Sequence, residues 1–319
     1  TEHFRRVARY GQPVDVASGI RATFLDAGHI LGSASILLEL EESGHQRSVL
    51  FSGDIGNSGR PMLRDPVTPA HADIVVMETT YGDRNHKQLH PSIEELYAAV
   101  NATLERGGNV IIPTFALERA QELLYYLRVG AQNAQLPGSM QVFLDSPMAI
   151  SATKLFQRHR EAMKPEVAKM LQRGQDPFNL PALPYTAETS DSINLNRIRA
   201  GAVLMAGSGM CTGGRVRHHL RHNLTHSDNA VIFVGFAAEG TLARIIVDGA
   251  KSVKLFGDQI PVRARVYTIN GFSAHAGRRE LLNWHARTGK PETTFLVHGE
   301  EKSMDSFAKV LKGTHIERP

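Results

Sequence analysis

The stretch TFLDAGHILGSASILLEL, residues 23–40, decides how the chain is read. Two apolar runs flank a turn of small residues, and one imidazole, His29, stands in that turn. Short apolar or alternating runs ended by glycine, asparagine or proline read as strands. The arrangement recurs along the chain. Asp54 ends VLFSGD, Glu78 ends IVVME, His298 ends TFLVH, and His275 lies in GFSAHAG shortly after RVYTIN. Loops at the carboxyl ends of strands are where α/β folds gather their chemistry.

Outward from these strands the pattern alternates. IRATFL, SASILLEL, SVLFSGD and DIVVMET make a β-rich start through residue 79. The spacing then predicts a helix over Pro91–Arg106, a buried strand in NVIIPTF, a helix over Leu117–Val129 and a strand in QVFLD. A helical region, Met148–Arg173, is broken at Pro165, and DPFNLPALPY reads as a loop. Strand AVLMAG, helix Arg215–Asn223, strand AVIFVG and a short helix after Gly240 follow. Strands around Val253–Phe256 and Val262–Ile269, helix Arg278–Arg287, strand TTFLVHG and helix Ser303–Leu311 close the chain. Repeated β-then-α order predicts largely parallel sheets flanked by helices, and the β-rich start predicts a second layer.

Composition narrows the class. The chain has 319 residues, 42% hydrophobic and 21% charged, with formal net charge +4. A sizeable core is available and disorder is excluded. The mild positive balance is compatible with a polyanionic substrate. One cysteine, Cys211, rules out an internal disulfide framework and a thiolate zinc site, and fits a reducing, cytoplasmic location. No apolar run is long enough to span a bilayer. The N-terminal residues lack the apolar middle of a signal peptide, and the absence of an initiator methionine reads as a piece of a longer protein.

The strand-end set is His29, Asp54, Glu78, His275 and His298. Each has a simpler reading alone: a histidine satisfied by a hydrogen bond, an aspartate capping a turn, a glutamate capping the next segment. Together, imidazole nitrogens and carboxylate oxygens without thiolate suit a catalytic zinc or a similar divalent ion. The stretch AGSGMCTGGRV precedes a helix, and its amides with Arg215 read either as a phosphate cradle or as an ordinary tight strand–helix turn. RHHLRHNLTH, Arg217–His226, reads as a helix with a basic face.

DAGHILGSAS, FSGDIGN, METTYGDR, IPTFALERAQELL, LDSPMA, AGSGMCTGGR, FVGFAAEGTLAR, GFSAHAG and FLVHGEE stand in this order. In that order they resemble the bacterial metallo-β-lactamase-fold ribonucleases of the β-CASP group. The resemblance covers nearly the whole chain. It implies an α/β fold: a partial metallo-β-lactamase αββα sandwich with an inserted β-CASP α/β cap. The implied boundaries are 1–83 and 271–319 for the sandwich and 84–270 for the cap.

The resemblance further implies two zinc ions held by His29, Asp54 and His298, with Asp54 bridging. It implies catalytic roles for Asp54, for Glu78, and for His275, which would protonate the leaving oxygen. Ser208, Gly209, Gly213, Gly214 and Arg215 would bind substrate phosphate. A histidine at 298, where DNA-directed members typically carry valine, favours RNA as substrate and partner.

The family's H-x-H-x-D-H motif does not occur in the 319 residues. The expectation is therefore a zinc-dependent ribonuclease of RNA processing or decay, impaired in this chain because each zinc keeps too few ligands. The competing reading is a non-catalytic RNA-binding module derived from such a nuclease. An apolar sheet face left open by the missing strands, and with it self-association, is also expected.

Overall fold

The computed structural model describes residues 7–180, 183–186 and 188–317. The chain divides into two compact units, Thr1–His86 with Ala274–Pro319, and Lys87–Ser273.

The first unit begins with β1 (Pro13–Ala17), β2 (Ile20–Asp26), β3 (Ala34–Glu42), β4 (His45–Phe51) and β5 (Ile74–Glu78). β1 to β4 are a meander of antiparallel neighbours, and β4 pairs parallel with β5. The first eighty residues thus build one sheet, because each strand pairs with its predecessor.

The second unit starts with α1 (Leu89–Glu105), β6 (Val110–Pro113), α2 (Arg119–Gln132), β7 (Gln141–Leu144), α3 (Pro147–Arg158), α4 (Pro165–Gln172) and α5 (Thr189–Leu195). It continues with β8 (Ala202–Ala206), α6 (Val216–Asn223), β9 (Ala230–Val234), α7 (Leu242–Val247), β10 (Ser252–Leu255), β11 (Asp258–Pro261) and β12 (Arg265–Ile269). Its main sheet has the order β12-β9-β6-β8-β7, with every pair parallel. Every residue of β6, β8 and β9 is buried. A parallel sheet covered by helices on both faces requires such continuous apolar strands. β10 and β11 form a separate antiparallel hairpin.

The chain returns to the first unit through α8 (Arg278–Ala286), β13 (Thr293–Val297), α9 (Glu301–Ala308) and β14 (His315–Glu317). β13 pairs parallel with β5 on one side and β14 on the other, completing a seven-stranded sheet. Leu50, Val75, Met77 and Leu296 pack with Leu281, Trp284 and Phe307 of α8 and α9. The pleat turns alternate residues to the opposite face. There Phe24, Ile36, Phe51, Val76 and Phe295 form one cross-strand row. Phe51 is 40% and Phe295 37% exposed, so this row is incompletely covered.

The remaining differences from the sequence reading are short elements. β1, β11, β14 and α5 carry few buried residues and hence no legible apolar period.

Candidate metal centre

All five residues lie in the first unit: His29, Asp54 and His298 follow β2, β4 and β13 within three residues, Glu78 is the last residue of β5, and His275 comes six residues after β12, a strand of the second unit. The loops that carry them are tied by backbone. The Gly56 amide donates to the Ala27 carbonyl at 2.8 Å, Ala276 to Ile55 at 2.8 Å, and Asn57 to Ala274 at 2.9 Å. The loop after β4, bearing Asp54, therefore lies between the loops bearing His29 and His275. A Cβ at residue 56 would stand 1.9 Å from the Gly28 carbonyl oxygen and 2.7 Å from the His29 nitrogen. Only glycine allows that crossing.

Asp54 stands between two imidazoles. His29 Nε2 is 3.7 Å from Oδ2, and His298 Nδ1 is 3.4 Å from Oδ1. His298 also lies 3.2 Å from the Thr80 hydroxyl through Nδ1, at a backbone φ of +50°. Histidine is among the few non-glycine residues enriched in that left-handed region. The His275 ring centroid is 4.4 Å from that of His29 and 5.8 Å from that of His298.

Glu78 fixes His275. The His275 Nδ1–H donates to Glu78 at 3.0 Å to one oxygen and 3.2 Å to the other. The same carboxylate accepts from the Ile55 amide at 2.7 Å and the Thr80 amide at 3.2 Å. Glu78 is 1% exposed. Burial by itself raises its carboxyl, but the hydrogen bond and charge of His275, with Thr80 and Ile55, outweigh it and leave the group below its ordinary value. An ionised carboxylate only accepts, so the proton stays on His275 Nδ1 and Nε2 keeps its lone pair. The orientation is the one a carboxylate partner imposes on a metal-binding or proton-transferring histidine.

His29 is pushed down to about 4, first by burial and then by His275; Asp54 and Glu78 act in the opposite sense. It is neutral at neutral pH, as an imidazole ligand must be. The donor chemistry therefore fits a divalent ion. Two groups have their ligand atoms within 4.8 Å of one another: His29, Asp54 and His275, and Glu78, His275 and His298. His275 belongs to both, whereas the sequence reading gave it an acid role alone.

His86 escaped sequence reasoning, since it ends no strand. Its Nε2–H donates to the His275 carbonyl at 2.8 Å, and its ring lies edge-on to Tyr81 at 4.2 Å. Burial pushes it down to about 4 against that hydrogen bond, with Arg60 and Arg84 adding to the fall.

The glycine-rich loop belongs to the second unit. The Ser208 amide donates to the Gly213 carbonyl at 3.2 Å, Cys211 to Ser208 at 3.1 Å, and Gly213 to the Ser208 hydroxyl at 3.4 Å. These amides close the loop on itself. Gly209 packs against the Phe115 ring, and a Cβ at Gly214 would meet the Gly207 carbonyl oxygen at 2.3 Å. Arg215 is turned inward, donating to Asp145 at 2.8 Å and to the Thr186 carbonyl at 2.8 Å. Asp145 also accepts from His219 at 2.6 Å, Ser192 at 2.6 Å and Thr186 at 2.7 Å. Arg215 is thus the partner of a buried carboxylate, a long-range pairing with no signal in sequence spacing.

Among the described residues no helix is long and apolar enough to cross a membrane.

Residues 120–246 match the Beta-Casp domain family, and residues 259–318 match the Zn-dependent metallo-hydrolase RNA specificity domain. The chain is 39% identical over 306 residues to Ribonuclease TTHA0252 of Thermus thermophilus, covering 96% of this chain and 68% of that protein. It is 31% identical to the RNase J-like protein of Methanocaldococcus jannaschii, covering 95% and 69%. It is 32% identical to the transcription termination factor FttA of the same organism, covering 95% of this chain and 49% of that one. A crystal structure of a protein of unknown function from Enterococcus faecalis V583 shares the fold, with a TM-score of 0.50 at 12% identity, covering 100% of this chain and 67% of that one. With both domain families matched and about two thirds of two ribonuclease-type relatives covered, the chain belongs to the metallo-β-lactamase-fold β-CASP ribonuclease family.

Proposed function

We propose that the first unit carries a zinc centre for hydrolysis of RNA phosphodiester bonds, with His29, Asp54 and His298 as ligands. One observation carries the reading: the buried Glu78 carboxylate holds His275 through Nδ1, with its ring 4.4 Å from that of His29 and 5.8 Å from that of His298. The supporting comparison is the ribonuclease at 39% identity.

When bound, zinc supplies Lewis-acid stabilisation of charge on phosphoryl oxygens. The chain's own residues do the rest. Asp54 has one oxygen 3.7 Å from His29 Nε2 and the other 3.4 Å from His298 Nδ1, so both imidazoles lie within reach of one carboxylate. Glu78 fixes the His275 tautomer and would stabilise the imidazolium formed when Nε2 takes up a proton from solvent; that Nε2–H would then pass to the leaving oxygen. His86 holds the His275 backbone.

The 319 residues contain no H-x-H-x-D-H motif, so the ligand set they supply is small. Divided between two zinc ions, it would leave each ion two protein ligands, His29 with Asp54 or Asp54 with His298, where catalytic zinc ordinarily has about three. The chain is accordingly a weak zinc binder and a slow nuclease. Cleavage of a labelled RNA with zinc in excess tests this. Slow cleavage abolished by His275→Ala supports the assignment. RNA binding with no cleavage at any zinc concentration points instead to a non-catalytic RNA-binding module.

A further inference from the structure

In the second unit, α6 and the hairpin β10–β11 carry a surface unused by the metal centre. The RHHLRHNLTH stretch is two-sided. Val216, His219, Leu220 and Asn223 are buried, while His218, Arg221 and His222 are exposed and Arg217 is partly so. The hairpin is anchored by Val253 and Leu255, which enter the core with Leu220 and Val216. Phe256, at its tip, is not needed for that anchoring and is 43% exposed. Its φ is +50°, a conformation that glycine or asparagine adopts at lower cost than a bulky side chain.

Cationic groups gather on this ring. The His218 imidazole stacks on it at 4.4 Å between centroids and 28° between planes. The Arg217 guanidinium lies 4.9 Å from its centroid and that of Arg221 6.0 Å. Arg217 Nε is buried with no hydrogen-bond partner among the described residues. Arg221 pairs with Asp258 at 2.6 Å. Lys254 is exposed two residues before the ring. Three full cations therefore stand near one paired carboxylate, around a flat aromatic stack open to solvent.

We propose that Phe256, His218, Arg217 and Arg221 form an accessory surface for single-stranded RNA, on which bases extend the stack and the guanidinium groups meet phosphates. Aromatic faces interleaved with arginine are how unpaired strands are held without sequence readout. An acidic peptide would use the cations but has no need of the exposed stack, and a duplex would hide its bases from it. The inference rests on the reading of the chain as acting on RNA.

The test is fluorescence anisotropy of the full chain with a labelled oligouridylate of about 12 nucleotides, in EDTA so that no cleavage occurs. Phe256→Gly removes the ring and relieves the backbone, and is expected to weaken binding about tenfold. Arg217→Gln with Arg221→Gln is expected to weaken binding and to lower the slope of log affinity against log salt by about 1.4. Arg221→Gln alone changes an exposed side chain and covers the case in which the other variants fail to fold. RNA binding unchanged in the folded variants overturns the surface and leaves the RNA reading standing. Absence of RNA binding by the wild-type chain overturns both. Binding of a polyglutamate peptide at least as tight as RNA, lost in the same variants, overturns it in favour of a protein partner.

Discussion

Glu78 and His275, separated by 197 residues in sequence, are joined by a 3.0 Å hydrogen bond in which the imidazole Nδ1–H donates to a carboxylate that is almost fully buried. The bond decides which nitrogen of His275 carries the proton. Replacing Glu78 by Gln offers the ring a neutral partner with both donor and acceptor, and the preference for the Nδ1–H tautomer weakens. Nitrogen-15 NMR of the imidazoles is expected to show His275 as Nδ1–H in the wild type and a mixed population in Glu78→Gln. An unchanged tautomer in the variant would remove Glu78 from its positioning role.

The two buried histidines set an acid limit. His29 and His86 are each held down to about 4 from 6.5. The unfolded chain therefore binds more protons than the folded one between those values, and stability rises with pH across that window. Acidification from 6.5 toward 4 is expected to lower the denaturation midpoint progressively, with no further loss from these groups below about 4. His86→Asn is expected to flatten the curve. A midpoint independent of pH through that window, measured by chemical denaturation, would contradict the burial assigned to both rings.

Gly56 is a steric requirement, since its backbone is not in the left-handed region. A methyl group there meets the Gly28 carbonyl at 1.9 Å. Gly56→Ala is expected to destabilise the first unit by about 3 kcal/mol through forced backbone shifts. Gly59, at φ +78° with open space for 4 Å around the position a methyl would take, is the control. Gly59→Ala is expected to cost only about 1 kcal/mol, from its backbone conformation alone. Equal losses in the two variants would show that the loops are not interlocked at Gly56.

Asp145 organises the second unit. Burial raises its carboxyl, but hydrogen bonds from His219, Ser192 and Thr186 prevail and hold it at about 2. The stability this contributes is present above the ordinary value of 3.8 and is lost as pH falls through about 2. Asp145→Asn places an amide donor among four donors and removes the charge opposite Arg215. A loss of about 3 kcal/mol at neutral pH is expected in denaturant titration. A loss below about 0.5 kcal/mol would mean that the network relaxes without the charge.

Much of this was legible in advance, for identifiable reasons. Glu78 and His298 each close an apolar run that had to be a strand, and parallel strands that pair, as β5 and β13 do, bring their carboxyl ends together. The long helices were visible from their apolar period. The edge strand β1 was not, because four of its five residues are exposed. The Arg215–Asp145 pair leaves no trace in sequence spacing, because the two residues stand 70 apart and only the tertiary fold brings them together. His219 sits in the basic-looking run RHHLRHNLTH and is fully buried, because at helical spacing it shares the inward stripe of α6 with Val216, Leu220 and Asn223.

Zinc uptake tests the central claim most directly. The purified chain would be titrated with zinc by calorimetry, and its metal content measured after dialysis, beside Asp54→Ala. At most one zinc per chain, bound reversibly, lost on dialysis and abolished by Asp54→Ala, is the predicted result. Two zinc ions that survive dialysis, or uptake indifferent to Asp54→Ala, would show that the metal is held by groups other than His29, Asp54 and His298.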